Sequence, residues 1–203
     1  ANALSQKGME VHVLTIDPAS AAYQHVDESL VGQIEGGIVV HRVKAFNPFA
    51  VIQKVAPSAI PGAAFSESKS SGLLGRLLTV LRSHLFIPDP RKTWVRKAIQ
   101  KGCALVDEYS LQTVITTSPP QSVQLIGQGI KRARPNVQWM ADFRDPWTDI
   151  FYYERLGHSA VSRRIDAAME RSVLQQADQV LAVSWGFRDL LASKVERVQQ
   201  GKF

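Results

Sequence analysis

Short apolar runs alternate along this chain with stretches whose apolar residues return every third or fourth position. Residues 11–16 (Val11, Val13, Leu14, Ile16) and 37–43 (Ile38, Val39, Val40, Val43) are β-rich, with the near-continuous apolar character of buried parallel strands. Residues 113–117, 137–141 and 179–183 read the same way. Between them lie helical patterns. Val95, Ile99, Cys103 and Val106 share one helical stripe, as do Val123, Ile126 and Ile130. A longer helix over about 159–176 shows Val161, Ile165, Met169 and Val173 on one face.

Punctuation supports these boundaries. Residues 1–7 read as the last turns of a helix, closed by Gly8. Asp89-Pro90 predicts an N-cap followed by proline at the first helical position. Ser118-Pro119-Pro120-Gln121 predicts a serine cap with a glutamine three residues on, a capping box. Ser184 is expected to cap a closing helix. Residues 45–72 hold Pro48, Pro57, Pro61 and Gly62 and a serine-rich run, which predicts a long irregular loop with a short helix near 49–55. Residues 73–86 follow as a basic amphipathic helix, with Leu73, Leu77, Val80, Leu81 and Leu85 on one side.

Alternation of strand and helix with short connections predicts an α/β fold, a Rossmann-like parallel sheet with helices on both faces. No internal repeat is visible. The chain has 203 residues, 45% hydrophobic and 21% charged, which suits one sizeable core and one domain over 1–203. No apolar run reaches the roughly 18 residues of a membrane span. The N-terminus lacks the apolar stretch of a signal peptide. One cysteine, Cys103, allows no intrachain disulfide, and a reducing cytoplasm is the simplest expectation.

A net charge of +6 favours anionic partners: phosphorylated sugars, a membrane leaflet or nucleic acid. The charge is scattered, which argues against nucleic acid. Its denser patches, Arg91-Lys92 with Arg96-Lys97, Lys131-Arg132 with Arg134, and Arg163-Arg164, also fit solvated helix faces.

Parallel sheets bind ligands beyond the carboxyl ends of their strands. Four segments are expected at that rim: 88–94, 117–120, 142–147 and 184–186. The run Asp142-Phe143-Arg144-Asp145-Pro146-Trp147 is the densest in chemistry. Its carboxylates can accept from sugar hydroxyls, Arg144 can hold a phosphate bidentately, and Trp147 offers a flat face to a sugar ring. The competing reading is an Arg144–Asp ion pair that fixes a turn, with Trp147 in the core. Ser118 is read as a helix cap or as part of an anion-binding helix start. Arg91 and Lys92 sit where a helix disfavours cations, which favours an external anion. The sequence has no Gly-x-Ser-x-Gly elbow, no phosphate-binding glycine loop and no His/Cys cluster at metal-ligand spacing.

Asn2 to Thr15 resembles the opening segment of family 4 glycosyltransferases, with Met9 where that family has histidine. The segment 141–147 resembles part of the glycosyltransferase 4-like N-terminal domain of bacterial members, and 180–184 resembles its end. The resemblance spans nearly the whole chain. It implies the N-terminal half of a GT-B fold, which mainly shapes the acceptor site, trimmed at both ends: the family's first strand and glycine-rich loop, and its C-terminal donor-binding domain with a Glu-x7-Glu element, are not in this sequence. It also implies transfer of a sugar, with retention, from a nucleotide-sugar substrate to a glycan or lipid-linked acceptor. It implies no metal or other cofactor, and the chain alone is expected to be inactive. Asp142, Arg144, Asp145, Trp147, Ser118, Arg91, Lys92 and Ser184 would line the acceptor cleft, with no catalytic residue assigned. Many relatives work at the cytoplasmic membrane face, and residues 73–86 would suit peripheral contact there.

Two other readings stay open. One is a non-enzymatic Rossmann-like interaction module. The other is a sugar epimerase of the same architecture, disfavoured because no histidine falls at a strand end.

Overall fold

The computed structural model describes residues 1–20, 28–34, 36–46, 87–196 and 201–203. The helices expected over 49–55 and 73–86, and all but Ala45 and Phe46 of the expected loop, lie outside these residues. The chain forms two compact units, Ala1–Ser66 and Glu67–Phe203.

In the first unit a short helix α1 (Asn2–Ser5) leads into β1 (Val11–Ile16), which pairs in parallel with β2 (Ile38–Val43) from Val11↔Ile38 to Ile16↔Val43. Gly8 makes the turn between α1 and β1. Its φ of +80° is a left-handed conformation that glycine takes without steric cost. The amides of Gly8 and Met9 close the helix end on the carbonyls of Ser5 and Leu4 at 2.9 and 3.2 Å. On one face of the strand pair, His12 and His41 stack with ring centroids 5.3 Å apart and nitrogens at 3.0 Å.

The second unit holds β3 (Thr113–Ser118), β4 (Gln138–Phe143) and β5 (Gln179–Ala182), all parallel, in the order β3-β4-β5. Its helices are α2 (Val95–Tyr109), α3 (Ser122–Ala133), α4 (Ala160–Gln176) and α5 (Trp185–Ser193). A 3-10 turn, Pro90–Trp94, precedes α2, and Asp89 caps it by accepting from the Arg91 amide at 2.8 Å, as Asp89-Pro90 predicts.

The architecture is therefore α/β with parallel strands, compatible with a Rossmann-like fold. It differs from the sequence expectation in two respects. The described strands form two small open sheets, because alternation fixes strand direction without fixing which strands are neighbours. In the second sheet, the described helices leave one face open. Its order advances steadily in one direction, so right-handed crossovers carry α3 and α4 to the same side. Trp139, Ala141, Phe143 and Val180 are buried there against Val173 and Leu174 of α4 and Phe187 and Leu191 of α5. On the opposite face Ile115 and Leu181 are exposed.

Two glycines permit the closest helix contacts. A Cβ on Gly127 would stand 2.1 Å from the Trp139 indole nitrogen, and one on Gly129 would stand 2.3 Å from Ile99 of α2.

Helix α4 departs from its expected stripe. Val161 and Ile165 are 59% and 44% exposed, whereas Ser162, Asp166 and Glu170 are buried beside Val173 and Leu174. The reason is that this helix meets hydrogen-bond donors as well as apolar surface. Trp147 Nε1 and the Tyr153 hydroxyl each donate to Asp166 at 2.7 Å, and Thr148 Oγ1 donates to Glu170 at 2.5 Å. Buried polar groups are tolerated when bonded in this way.

Candidate functional site

All three strands of the second sheet run the same way, so their carboxyl ends reach one edge. Register aligns Ser118 with Phe143 and Phe143 with Ala182. The Arg144 amide then donates to the Ser118 carbonyl at 3.0 Å, which extends the ladder by one residue before the chain turns. Thr117, Pro119, Arg144, Asp145 and Val183 line an open depression of about 390 Å³ at this edge.

Arg144 and Asp145 are both exposed there. Among the described residues the Arg144 guanidinium makes no ion pair with Asp142, Asp145 or any other carboxylate. The turn-fixing pair that the sequence allows is therefore not formed. Asp145 has Tyr152 as an electrostatic neighbour: burial first, and the Asp145 carboxylate second, push the phenol's pKa up.

The turn is fixed by its far side instead. Trp147, 3% exposed, is the core residue of the competing reading and does not face a ligand. Its indole is held by Asp166. Thr148 is bonded to Glu170, and Lys194 from beyond α5 donates to Glu170 at 2.7 Å and to Thr148 at 3.0 Å while pairing with Asp149. Burial pushes the carboxyls of Asp166 and Glu170 up, against the lowering by these donors. Glu170 Oε1 is buried with no partner among the described residues.

Ser118 also departs from its expected role. It is the last residue of β3, fully buried, and not a helix cap. Its hydroxyl accepts from Gln124 Nε2 at 2.9 Å and donates to the Asp142 carbonyl at 3.4 Å. Gln124 also donates to that carbonyl at 2.9 Å and accepts from Thr116 at 2.6 Å, so one glutamine ties α3 to two strand ends. The start of α3 is capped from a distance. Asp89 accepts from the Ser122 amide at 2.6 Å and from its hydroxyl at 2.9 Å. Burial raises the Asp89 carboxyl, opposed by the Ser122 and Arg91 amides.

The other expected site residues are dispersed. Asp142 shares a row with Thr117 and Leu181 on the open face of the sheet and is half-buried. Arg91 and Lys92 lie on the 3-10 turn and do not line the depression. Ser184 caps α5 as expected, accepting from the Phe187 amide at 3.3 Å.

Sequence reasoning did not single out Gln124, Asp166, Glu170 or Lys194. The spacing of Ser162, Asp166 and Glu170, one polar residue every four, was the available signal for the buried face of α4.

The depression offers a free guanidinium suited to a phosphate or carboxylate, a carboxylate that can accept from hydroxyls, and a threonine hydroxyl. Among the described residues no group of three His, Cys, Asp or Glu side chains could hold a metal ion, and no helix is long and apolar enough to cross a membrane. Comparison with family models, curated proteins and solved structures finds no match to this chain.

Proposed function

We propose that this chain is the acceptor-side, N-terminal domain of a GT-B glycosyltransferase of the family 4-like type. It would receive a glycan or lipid-linked sugar acceptor while a C-terminal domain presents the nucleotide-sugar donor. What carries the reading is the depression at the strand ends, where an exposed arginine with no ion pair among the described residues stands beside an exposed aspartate. Arg144 holds an acceptor phosphate, Asp145 takes hydroxyls, and Asp142, on the adjoining face, borders the site. Transfer proceeds with retention of configuration, without a bound metal. The enzyme works at the cytoplasmic face of the membrane, in peripheral contact with it.

The test is donor consumption by the complete gene product against a panel of UDP- and GDP-sugars, with and without lipid-linked acceptors. Arg144→Ala and Asp145→Ala are expected to raise the acceptor KM about tenfold or more, the scale of one charge-assisted contact. Failure of every donor to bind or turn over would place the non-enzymatic interaction module ahead.

A further inference from the structure

The same rim carries an aromatic surface that the depression does not account for. Val183 lines the depression, and the chain then passes through Ser184 to Trp185, the first residue of α5. Trp185 is 77% exposed, whereas the other three tryptophans, Trp94, Trp139 and Trp147, are buried.

A lone exposed apolar side chain requires no explanation. This one is oriented. The Arg188 guanidinium lies 4.8 Å from the centre of the indole ring. Arg188 is in turn held by Asp189, which accepts from Nε at 3.0 Å and from Nη2 at 2.6 Å. Ser184 fixes the helix start beneath the ring, and its carbonyl accepts the Arg188 amide at 2.9 Å. The Arg188 guanidinium thus lies over the indole, the Asp189 carboxylate holds that guanidinium from its edge, and Trp185 keeps most of its surface exposed to solvent. Val183, 66% exposed and two residues before Trp185, lines the depression itself.

We propose that Trp185 is the ring platform of a subsite for an anionic sugar, with the pyranose on the exposed indole and its phosphate on Arg144. This rests on the acceptor-site reading above and adds the chemical class of the acceptor. An indole face is electron-rich and apolar, which suits the C–H face of a sugar ring. The pairing of an aromatic plane with a cation selects a sugar phosphate over a neutral sugar or a bare phosphate. The phosphate could belong to a free sugar phosphate or to a lipid diphosphate, since both present the same group.

Acrylamide quenching of tryptophan fluorescence reads this directly, because Trp185 is the accessible indole. The probes are N-acetylglucosamine 1-phosphate, free N-acetylglucosamine, inorganic phosphate, and an alkyl diphosphate-linked N-acetylglucosamine in micelles beside empty micelles. The sugar phosphate or its lipid-linked form should lower the quenching constant about twofold or more, as burial of one indole face requires. Protection by the soluble compound assigns the free source, and protection by the micellar one alone assigns the lipid. Trp185→Phe should abolish the quenchable component, and Arg144→Ala should abolish protection. Equal protection by inorganic phosphate would overturn the platform. So would calorimetric binding of the sugar phosphate that Arg144→Ala abolishes while quenching stays unchanged, an outcome that leaves the acceptor site standing. Absence of any sugar-phosphate binding would overturn both.

Discussion

Replacing Asp166 separates the two things its carboxylate does. It accepts from the Trp147 indole and the Tyr153 hydroxyl, and it places a charge in the interior. Asp166→Ala leaves the Trp147 N–H buried with no acceptor. An unsatisfied buried donor costs about 1–3 kcal/mol. The half-buried Tyr153 hydroxyl can turn toward water and loses less, so the whole cost is about 2–4 kcal/mol. Asp166→Asn keeps an acceptor for the indole, and its amide can donate to the phenol oxygen, so its cost is under about 1.5 kcal/mol. Urea unfolding followed by tryptophan fluorescence is the assay. All four tryptophans lie in residues 67–203, so the signal reports the second unit. With an m-value of about 2 kcal/mol/M, alanine should lower the midpoint by about 1–2 M and asparagine by well under 1 M. Equal losses for the two variants would refute the reasoning, since the acceptor would then not be what matters.

Three further predictions follow from neighbouring geometry. Gly127→Ala forces a methyl into the buried Trp139 ring and should cost about 1–3 kcal/mol by the same urea assay; an unchanged midpoint would mean that α3 can shift. Asp89→Ala uncaps two helix starts at once and should cost about 1–3 kcal/mol, visible as reduced helical ellipticity and an earlier thermal midpoint. Asp89, Asp166 and Glu170 all titrate higher folded than unfolded, so the folded state binds more protons and their contribution is fully present below the unfolded value of about 4. It is lost as pH rises through the raised folded values, so the thermal midpoint should increase as pH falls toward the unfolded value of about 4, and Glu170→Gln should flatten that rise.

Strand positions were legible from their dense apolar runs, although the full burial those runs suggest is not met, since Val39, Ile115 and Leu181 are exposed; Asp89-Pro90 and Ser184 declared their helix starts locally. The capping of α3 was not legible. Ser118 has the residue type and spacing of a cap, but it ends a strand, and the acceptor that serves Ser122 comes from Asp89. Helix α4 misled for a related reason. A pattern of apolar residues favours Val161 and Ile165, whereas the surface this helix meets carries the indole and hydroxyls of Trp147, Tyr153 and Thr148. The identity of those donors is a tertiary fact. Of the chemically dense run 142–147, Arg144 and Asp145 emerged at the rim because they follow the last residue of β4. Alternation continued past the end of β4 puts both Asp145 and Trp147 on the buried face of Phe143, and only Trp147 takes it, because the chain turns at Arg144 and Asp145. Nor does spacing reveal that Arg188 and Asp189 brace Trp185, since side-chain stacking is set by the helix start that Ser184 fixes.

The reach of Asp89 to Ser122, across 33 residues of sequence, makes two helix ends a single unit of local opening. Neither the 3-10 turn before α2 nor the first turn of α3 can fray without releasing an acceptor that the other uses. Hydrogen exchange should therefore report a common opening free energy for the Arg91 and Ser122 amides, where two independently capped helices would fray separately. The rim loop at Pro119 lies immediately before Ser122, so its order is coupled to a carboxylate outside the depression. A change that loosens the start of α2 would be felt as disorder at the mouth of the candidate site.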